Sequence, residues 1–325
     1  MNKIKIMHFE RQFPYYDNDL FKVELFLLKV LGYTVWRNRF MQKIRSFLFA
    51  GGDVRQLYAA DKLKKMGYET AASGFEKYDG AVPYKAESIE KAYIYDAVVL
   101  PLPLTRDGEN INAPFSESKI SIKSLSEFLG KGKSVFGGKM SGDIAELFSG
   151  NKIYDCYSRE DFQLLNALPT AEGIAEIALR ELPITVNGAE ILVLGFGRTG
   201  KAIGKLLKAM GADVIIGARK TAVLAEAEDE GFKTLNILAD FDIPLKIRMA
   251  VNTVPAQILR EKHLKQLKGC LYAEAASAPY GTDLEKARGA GVNTVLASGL
   301  PGKIAPESAG EIIAETIINT IKEDS

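Results

Sequence analysis

The chain alternates two kinds of hydrophobic pattern. Short continuous apolar runs, bounded by glycine, proline or charged residues, are separated by longer stretches in which apolar residues recur every three or four positions. The first pattern predicts buried strands and the second predicts helices that cover them. From Ser46 the predicted strands are Ser46–Ala50, Tyr68–Ala72, Ala97–Leu100, Ser134–Gly137 and Ile153–Cys156. A helix over Val54–Met66 presents Leu57, Ala60 and Leu63 on one face. The second half repeats the plan with strands at Ile191–Leu194, Asp213–Gly217, Phe232–Leu235, Met249–Thr253, Leu271–Ala275 and Thr294–Leu296. Strands interleaved with helices imply parallel sheets covered on both faces. Between the halves, Thr170–Glu181 reads as a helix with Thr170 as its cap and Glu172 in its first turn. After Pro301 and Pro306, a last amphipathic helix runs from Ser308 to about Lys322, with Ile312, Ile313, Ile317 and Ile321 on one side.

One turn carries chemistry. The apolar run Ile191–Leu194 meets Gly195-Phe196-Gly197-Arg198-Thr199-Gly200, and a helical pattern follows at once. Strand, G-x-G-x-x-G and helix in that order form a dinucleotide cradle. Gly195 permits the tight turn, Gly197 lets the backbone approach a pyrophosphate, and Gly200 lets helix and strand pack closely. Arg198 and Thr199 fall at the helix N-terminus, whose unpaired N–H groups attract an anion. An NAD-preferring site has an acid at the end of the next strand, about 20 residues beyond the glycines. Here that strand ends Gly217-Ala218-Arg219-Lys220-Thr221. Arg219 and Lys220 suit a 2′-phosphate, so the expected cofactor is NADP; the alternative is that both are ordinary surface charges. Asn252-Thr253-Val254-Pro255 ends a further strand and is expected beside the nicotinamide ribose; Ala275–Ala278 ends the next strand and is expected to face the same crevice. The alternative for both is a strand-end turn of small residues.

The fold expected is therefore α/β with two parallel-sheet domains, the second an NAD(P)-binding Rossmann fold, and a ligand cleft between them. Residues 41–168 form the first, substrate-binding domain, 169–305 the NADP-binding domain and 306–325 the C-terminal helix. Residues 1–40 differ from the rest. They are rich in aromatics, show one helical pattern near Leu20–Leu31, and precede Met41, where an ordinary first domain would begin. They read as an upstream extension, or as an arm that packs on a partner.

Composition narrows the function. A formal net charge of +1 offers no global field for nucleic acid, and no apolar run approaches the roughly 20 residues of a membrane span. Neither partner is expected. Cys156 and Cys270 lie far apart without metal-ligand spacing, so no metal is expected and a reducing, cytoplasmic setting is. Only His8 and His263 exist, and His263 sits in a charged amphipathic stretch. Histidine-based hydroxyacid dehydrogenase or hydrolase chemistry is disfavoured.

Substrate candidates come from the first domain and the connectors. Gly51-Gly52-Asp53-Val54-Arg55 forms a strand-to-helix turn able to hold a carboxylate or phosphate, unless Arg55 merely pairs an acid. Asn166–Gly173, Pro101–Arg106 and Gly299–Pro306 are expected to line the cleft, unless they are rigid connectors. Together they put Arg55, Arg106, Thr170 and Lys303 where a small dicarboxylate could be clamped. Glu172 is the best carboxylate for proton acceptance, with a structural cap as its alternative reading.

The motifs also stand in a recognisable series. Gly51-Gly52-Asp53 with Arg55-Gln56, Pro169-Thr170 with Glu172-Gly173, and Leu194-Gly195 with Gly197–Gly200 come first. Gly217-Ala218-Arg219, Asn252-Thr253 with Pro255, Gly281-Thr282-Asp283, and Gly299–Gly302 with Ala305-Pro306 follow. In this series residues 45–322 resemble the dipicolinate synthase A-subunit family; Ala278–Gly281 departs from the family's more glycine-rich, arginine-containing form. The resemblance implies oxidation of dihydrodipicolinate to pyridine-2,6-dicarboxylate, a flavoprotein-like B-subunit of the same synthase as partner, and the mother cell of a spore-former. A homo-oligomer stays open. Two other readings stay open as well: a non-catalytic dinucleotide-binding regulatory protein, and a different two-domain dicarboxylate dehydrogenase.

Overall fold

The computed structural model describes residues 44–324 except Lys139, Ser141 and Ala239. The readings of residues 1–40, including the helical pattern near Leu20–Leu31, lie outside the described residues. Residues 46–324 hold two all-parallel sheets.

The first sheet contains β1 (Ser46–Ala50), β2 (Glu69–Ser73), β3 (Ala97–Val99), β4 (Ser134–Gly137) and β5 (Lys152–Asp155), in the order β2-β1-β3-β4-β5. Its helices are α1 (Val54–Lys65), α2 (Ile122–Leu129) and α3 (Gly142–Leu147). Every residue of β1 is buried, as a central strand covered on both faces requires. Leu48, Val98, Leu100, Leu125 and Phe148 build one core layer of this lobe.

The long helix α4 (Glu160–Glu181) then leads to the second sheet. That sheet contains β6 (Glu190–Leu194), β7 (Asp213–Ala218), β8 (Lys233–Asn236), β9 (Ile247–Asn252), β10 (Leu271–Glu274) and β11 (Asn293–Leu296). Their order, β11-β10-β9-β6-β7-β8, is the doubly wound Rossmann order. Helices α5 (Arg198–Ala209), α6 (Thr221–Asp229), α7 (Glu261–Gln266) and α8 (Leu284–Gly289) connect the strands. The order reverses at β6, whose neighbours are β7 and β9, so a crevice opens beyond its carboxyl end.

Two expectations about the connectors need correction. Thr170 does not cap a helix. It lies inside α4, its hydroxyl donating to the Asn166 carbonyl at 2.8 Å, and the helix passes through Pro169. Proline removes one N–H from the ladder, but tertiary packing outweighs that loss. Phe162 packs edge-on to Tyr157 at one end of α4, and Ile174, Ile177 and Ala178 enter the second lobe's core at the other. The 168/169 division therefore falls within a continuous helix.

The chain also returns. After α9 (Leu300–Ile304), α10 (Pro306–Glu323) packs on α1 of the first lobe. A side chain at Gly310 would place its Cβ 2.5 Å from Tyr58 Cβ and 2.6 Å from the Arg55 carbonyl oxygen, so glycine permits the close approach. Lys62–Glu311 (2.9 Å) and Arg159–Glu323 (2.7 Å) ion pairs border this packing. Both cysteines are free, and burial pushes the Cys156 thiol up to about 11. No helix among the described residues is long and apolar enough to cross a membrane.

Candidate functional site

A cavity of about 520 Å³ opens where the strand order of the second sheet reverses. Its floor is the glycine turn between β6 and α5. Gly195 has φ +96°, and a Cβ there would lie 2.5 Å from Thr253 Oγ1, so both conformation and space demand glycine. A Cβ on Gly200 would fall 2.2 Å from the Gly195 carbonyl oxygen. Gly197 differs: its Cβ would meet nothing within 4 Å, because the position faces open space. Gly197 is also the N-cap of α5, and no side chain caps that end. The first N–H groups of the helix thus reach the cavity without a capping side chain, which is what a pyrophosphate requires.

The walls assign two ends. On the β7 side stand Arg219 and Lys220, both exposed, with no ion-pair partner among the described residues. On the β9 side stand Thr253, Val254, Pro255 and Ile258. Phe162, Gln163 and Asn166 of α4 complete the lining. The predicted residues Gly195, Gly197, Arg198, Thr199, Gly200, Arg219, Lys220, Thr253 and Pro255 are thereby brought to one cavity. Arg198 reaches across to Glu160 at the start of α4 in an exposed ion pair.

Asn252 is the exception. It is fully buried and does not line the cavity. Its Nδ2 donates to Glu274 Oε1 (2.7 Å) and the Val254 carbonyl (2.9 Å), while its Oδ1 accepts from the Val254 N–H (3.1 Å). The expectation of direct cofactor contact is corrected: the amide is consumed by the protein's own groups.

Its partner Glu274 was not legible as a site residue. It ends β10 at 0% exposure. Oε1 accepts from Asn252 and from the Ala276 N–H (3.1 Å); Oε2 accepts from Tyr272 OH (2.7 Å) and the Gly281 N–H (2.8 Å). The available signal was an acid closing the apolar run Leu271–Ala273, where a charge needs a reason.

The proton-acceptor candidate also moves. Glu172 is exposed and lies in a separate surface hollow with Ala175, Leu179, Leu206 and Met210. Six positions beyond Asn166, it is rotated about 240° around α4, away from the cavity face. Thr170 stays near the Asn166 face, but its hydroxyl is held by the helix. Among the described residues the cavity lining contains no carboxylate and no imidazole. His263 is buried elsewhere. Its Nδ1 accepts from the Arg260 N–H (2.9 Å), Nε2 meets the Phe241 carbonyl (3.0 Å), and burial lowers its pKa.

In the first lobe, Gly52 adopts φ +99°. Asp53 caps α1 by accepting from the Arg55 N–H (3.1 Å). Arg55, 8% exposed, returns a two-pronged ion pair to Asp53 (both contacts 2.8 Å) and donates to the Leu102 carbonyl (2.9 Å). A Cβ on Gly302 would lie 3.0 Å from Arg55 Nε, and one on Gly173 would lie 2.7 Å from Leu300 Cβ. The turn at Gly51–Arg55, the middle of α4 and the Gly299–Gly302 segment therefore converge. Lys303 and Arg106 are exposed, the latter in a turn organised by Asp107. None of these first-lobe or connector cations lines the glycine-turn cavity.

The doubly wound sheet, the open glycine turn and the cationic β7 end define a nicotinamide-dinucleotide-binding protein of oxidoreductase type. Comparison agrees: residues 185–270 match the NADPH-binding domain of acetohydroxy acid isomeroreductase, and residues 46–156 match the N-terminal domain of the dipicolinate synthase A-subunit. The dipicolinate synthase A-subunit of Bacillus subtilis (strain 168) is 30% identical over 283 residues, covering 84% of this chain and 94% of the relative. The chain belongs to the dipicolinate synthase A-subunit family. The crystal structure of the Bacillus halodurans member superposes with a TM-score of 0.75 at 26% identity, covering 85% of this chain and 97% of that one. The crystal structure of the Bacillus subtilis member gives 0.73 at 28% identity, covering 88% and 99%.

Proposed function

We propose that this chain binds NADP and oxidises dihydrodipicolinate to dipicolinate, acting with a flavoprotein-like B-subunit in the mother cell of a spore-former. The observation that carries the cofactor reading is the end of β7, where Arg219 and Lys220 stand without a neighbouring acid. A 2′-hydroxyl would want a carboxylate there; a 2′-phosphate wants cations. When bound, the cofactor supplies the hydride acceptor: the dihydropyridine ring gives up a hydride and a proton and becomes aromatic. The glycine turn and the first N–H groups of α5 hold the pyrophosphate, and Thr253–Pro255 border the nicotinamide half. Aromatisation provides driving force, so the protein's main task is to position two rings and accept one proton.

For the substrate dianion, the exposed cations Lys303 and Arg106 are the proposed contacts, together with the Gly52 turn, whose Asp53 and Arg55 approach Gly302. Arg55 is left to support the turn, because Asp53 already neutralises it. Lys303→Ala and Arg106→Ala should each raise the substrate KM about tenfold with little change in NADP affinity.

The lack of a carboxylate or imidazole among the described residues of the cavity lining favours a second reading. In it the chain binds the dinucleotide and regulates, while the B-subunit performs the chemistry. A reconstituted assay with and without that partner, following NADPH and dipicolinate together, tests both. Stoichiometric NADPH and product support oxidation on this chain. Product without NADPH, persisting in Gly197→Asp, would transfer the chemistry to the partner.

A further inference from the structure

The structure assigns Glu274 the task of positioning the nicotinamide-side wall of the dinucleotide cavity, an inference that rests on the dinucleotide reading above. A carboxylate at 0% exposure, with no ion-pair partner among the described residues, is expensive to bury. For stability alone an apolar residue would serve as well. Here the charge collects four donors from three places: Asn252 at the end of β9, Tyr272 within β10, and the Ala276 and Gly281 N–H groups of the loop after β10.

These bonds close a circuit. Asn252, held by Glu274, both donates to and accepts from the backbone of Val254. Gly281, whose N–H Glu274 also holds, accepts at its carbonyl from the Ile258 and Leu259 N–H groups (both 2.9 Å). Val254 and Ile258 line the cavity, and the wall segment 253–258 is therefore pinned at both ends through one carboxylate. Space is equally restricted, since a Cβ on Gly281 would lie 2.6 Å from both Asn252 Nδ2 and Tyr272 OH. This wall lies on the β9 side of the strand-order reversal, whereas Arg219 and Lys220 lie on the β7 side. Glu274 should thus govern one half of the ligand and not the other.

Glu274→Gln preserves shape but turns one acceptor into a donor, which must then face the N–H of Ala276 or of Gly281. The test compares two ligands by calorimetry on the full chain. NADP+ spans both ends of the cavity; adenosine 2′,5′-bisphosphate lacks the nicotinamide half. Glu274→Gln should weaken NADP+ by about tenfold and leave the bisphosphate within about twofold. Amide exchange should accelerate in 252–258 and 275–281 and remain unchanged at the glycine turn. Equal weakening of both ligands, or NADP+ binding within about twofold of wild type, overturns the assignment. Tyr272→Phe removes one donor of the four without touching the charge. It should shift the same ratio in the same direction by about threefold, and it decides the matter if the glutamine variant does not fold. A wild-type chain that binds neither ligand would sink the dinucleotide reading itself, and this proposal with it.

Discussion

Each sheet of this molecule has a central strand that ends in a glycine turn and feeds a helix, yet the two helix starts are opposite in character. After β6 the N-cap of α5 is Gly197, which carries no side chain, and the helix opens into a cavity of about 520 Å³. After β1 the N-cap of α1 is Asp53, whose carboxylate already accepts from the Arg55 N–H and binds its guanidinium. The same strand–turn–helix geometry therefore leaves the helix end open to a cavity in one lobe and makes a self-satisfied joint in the other. Fold alone does not make a phosphate site. The residue at the N-cap decides whether the helix end is available.

The strongest way to break this contrast is Gly197→Asp. It gives α5 the cap that α1 has, in a position where a Cβ meets nothing within 4 Å. NADP+ binding should fall by about a hundredfold or more, as a carboxylate occupies the anion's place. The melting temperature should hold or rise slightly, because aspartate exceeds glycine as a cap by only about a few tenths of a kcal/mol. Loss of folding would mean that Gly197 is there for packing.

Next in size is the double variant Arg219→Ala, Lys220→Ala. Losing charge-assisted contacts to a 2′-phosphate should cost about 2 kcal/mol, a roughly thirtyfold weakening of NADP+. NAD+ binding should stay nearly level. A parallel loss for both dinucleotides would return these two residues to ordinary surface charges.

Asp53→Ala probes the other helix start. Removing the cap should cost about 1 kcal/mol, with a further loss from the buried Arg55 guanidinium left without its carboxylate, seen as a lower denaturant midpoint at unchanged slope. It would also release Arg55 from its carboxylate. Dinucleotide affinity should not change; if it did, the two turns would be coupled and the contrast misdrawn.

The smallest effect distinguishes the lobes by pH. His263 lies in the second lobe, buried against Phe241 with both ring nitrogens in use, and burial lowers its pKa below 6.5. The unfolded chain then binds the proton more readily than the folded one. The His263 contribution is full above the unfolded pKa of about 6.5 and is lost as pH falls below it. Thermal melts from about pH 7.5 to about pH 5.5 should show this slope in the native chain and a shallower one in His263→Gln. Equal slopes would place the acid sensitivity elsewhere.

Much of this architecture is legible in the chain. Continuous apolar runs located the strands to within a residue or two, as at Ser46–Ala50 and Ser134–Gly137, because a strand buried on both faces has no polar positions to confuse it. The G-x-G-x-x-G turn was equally plain. Harder were elements whose boundaries depend on partners. α2 (Ile122–Leu129) had no counterpart among the predicted elements, and α4 was expected to begin at Thr170 when it begins ten residues earlier, at Glu160. Pro169 lies inside α4, and the packing of Phe162 and Ile174 at opposite ends explains why the helix runs through it.

Among site residues the division follows range. Glycines act through their own backbone, so Gly195, Gly197 and Gly200 announced their role locally. Side chains act through what they meet. Arg55 and Arg219 look alike in the sequence, but one is spent on Asp53 and Leu102 while the other stands open beside a cavity. Asn252 and Glu274 are 22 positions apart, and their pairing appears only when β9 and β10 lie side by side. By itself the sequence determined the order of strands and helices and the position of the glycine cradle, because periodicity and backbone freedom are local properties. The tertiary structure decided which charges are free, which are consumed and which face of α4 lines the cavity, because those depend on distances between residues remote in the chain.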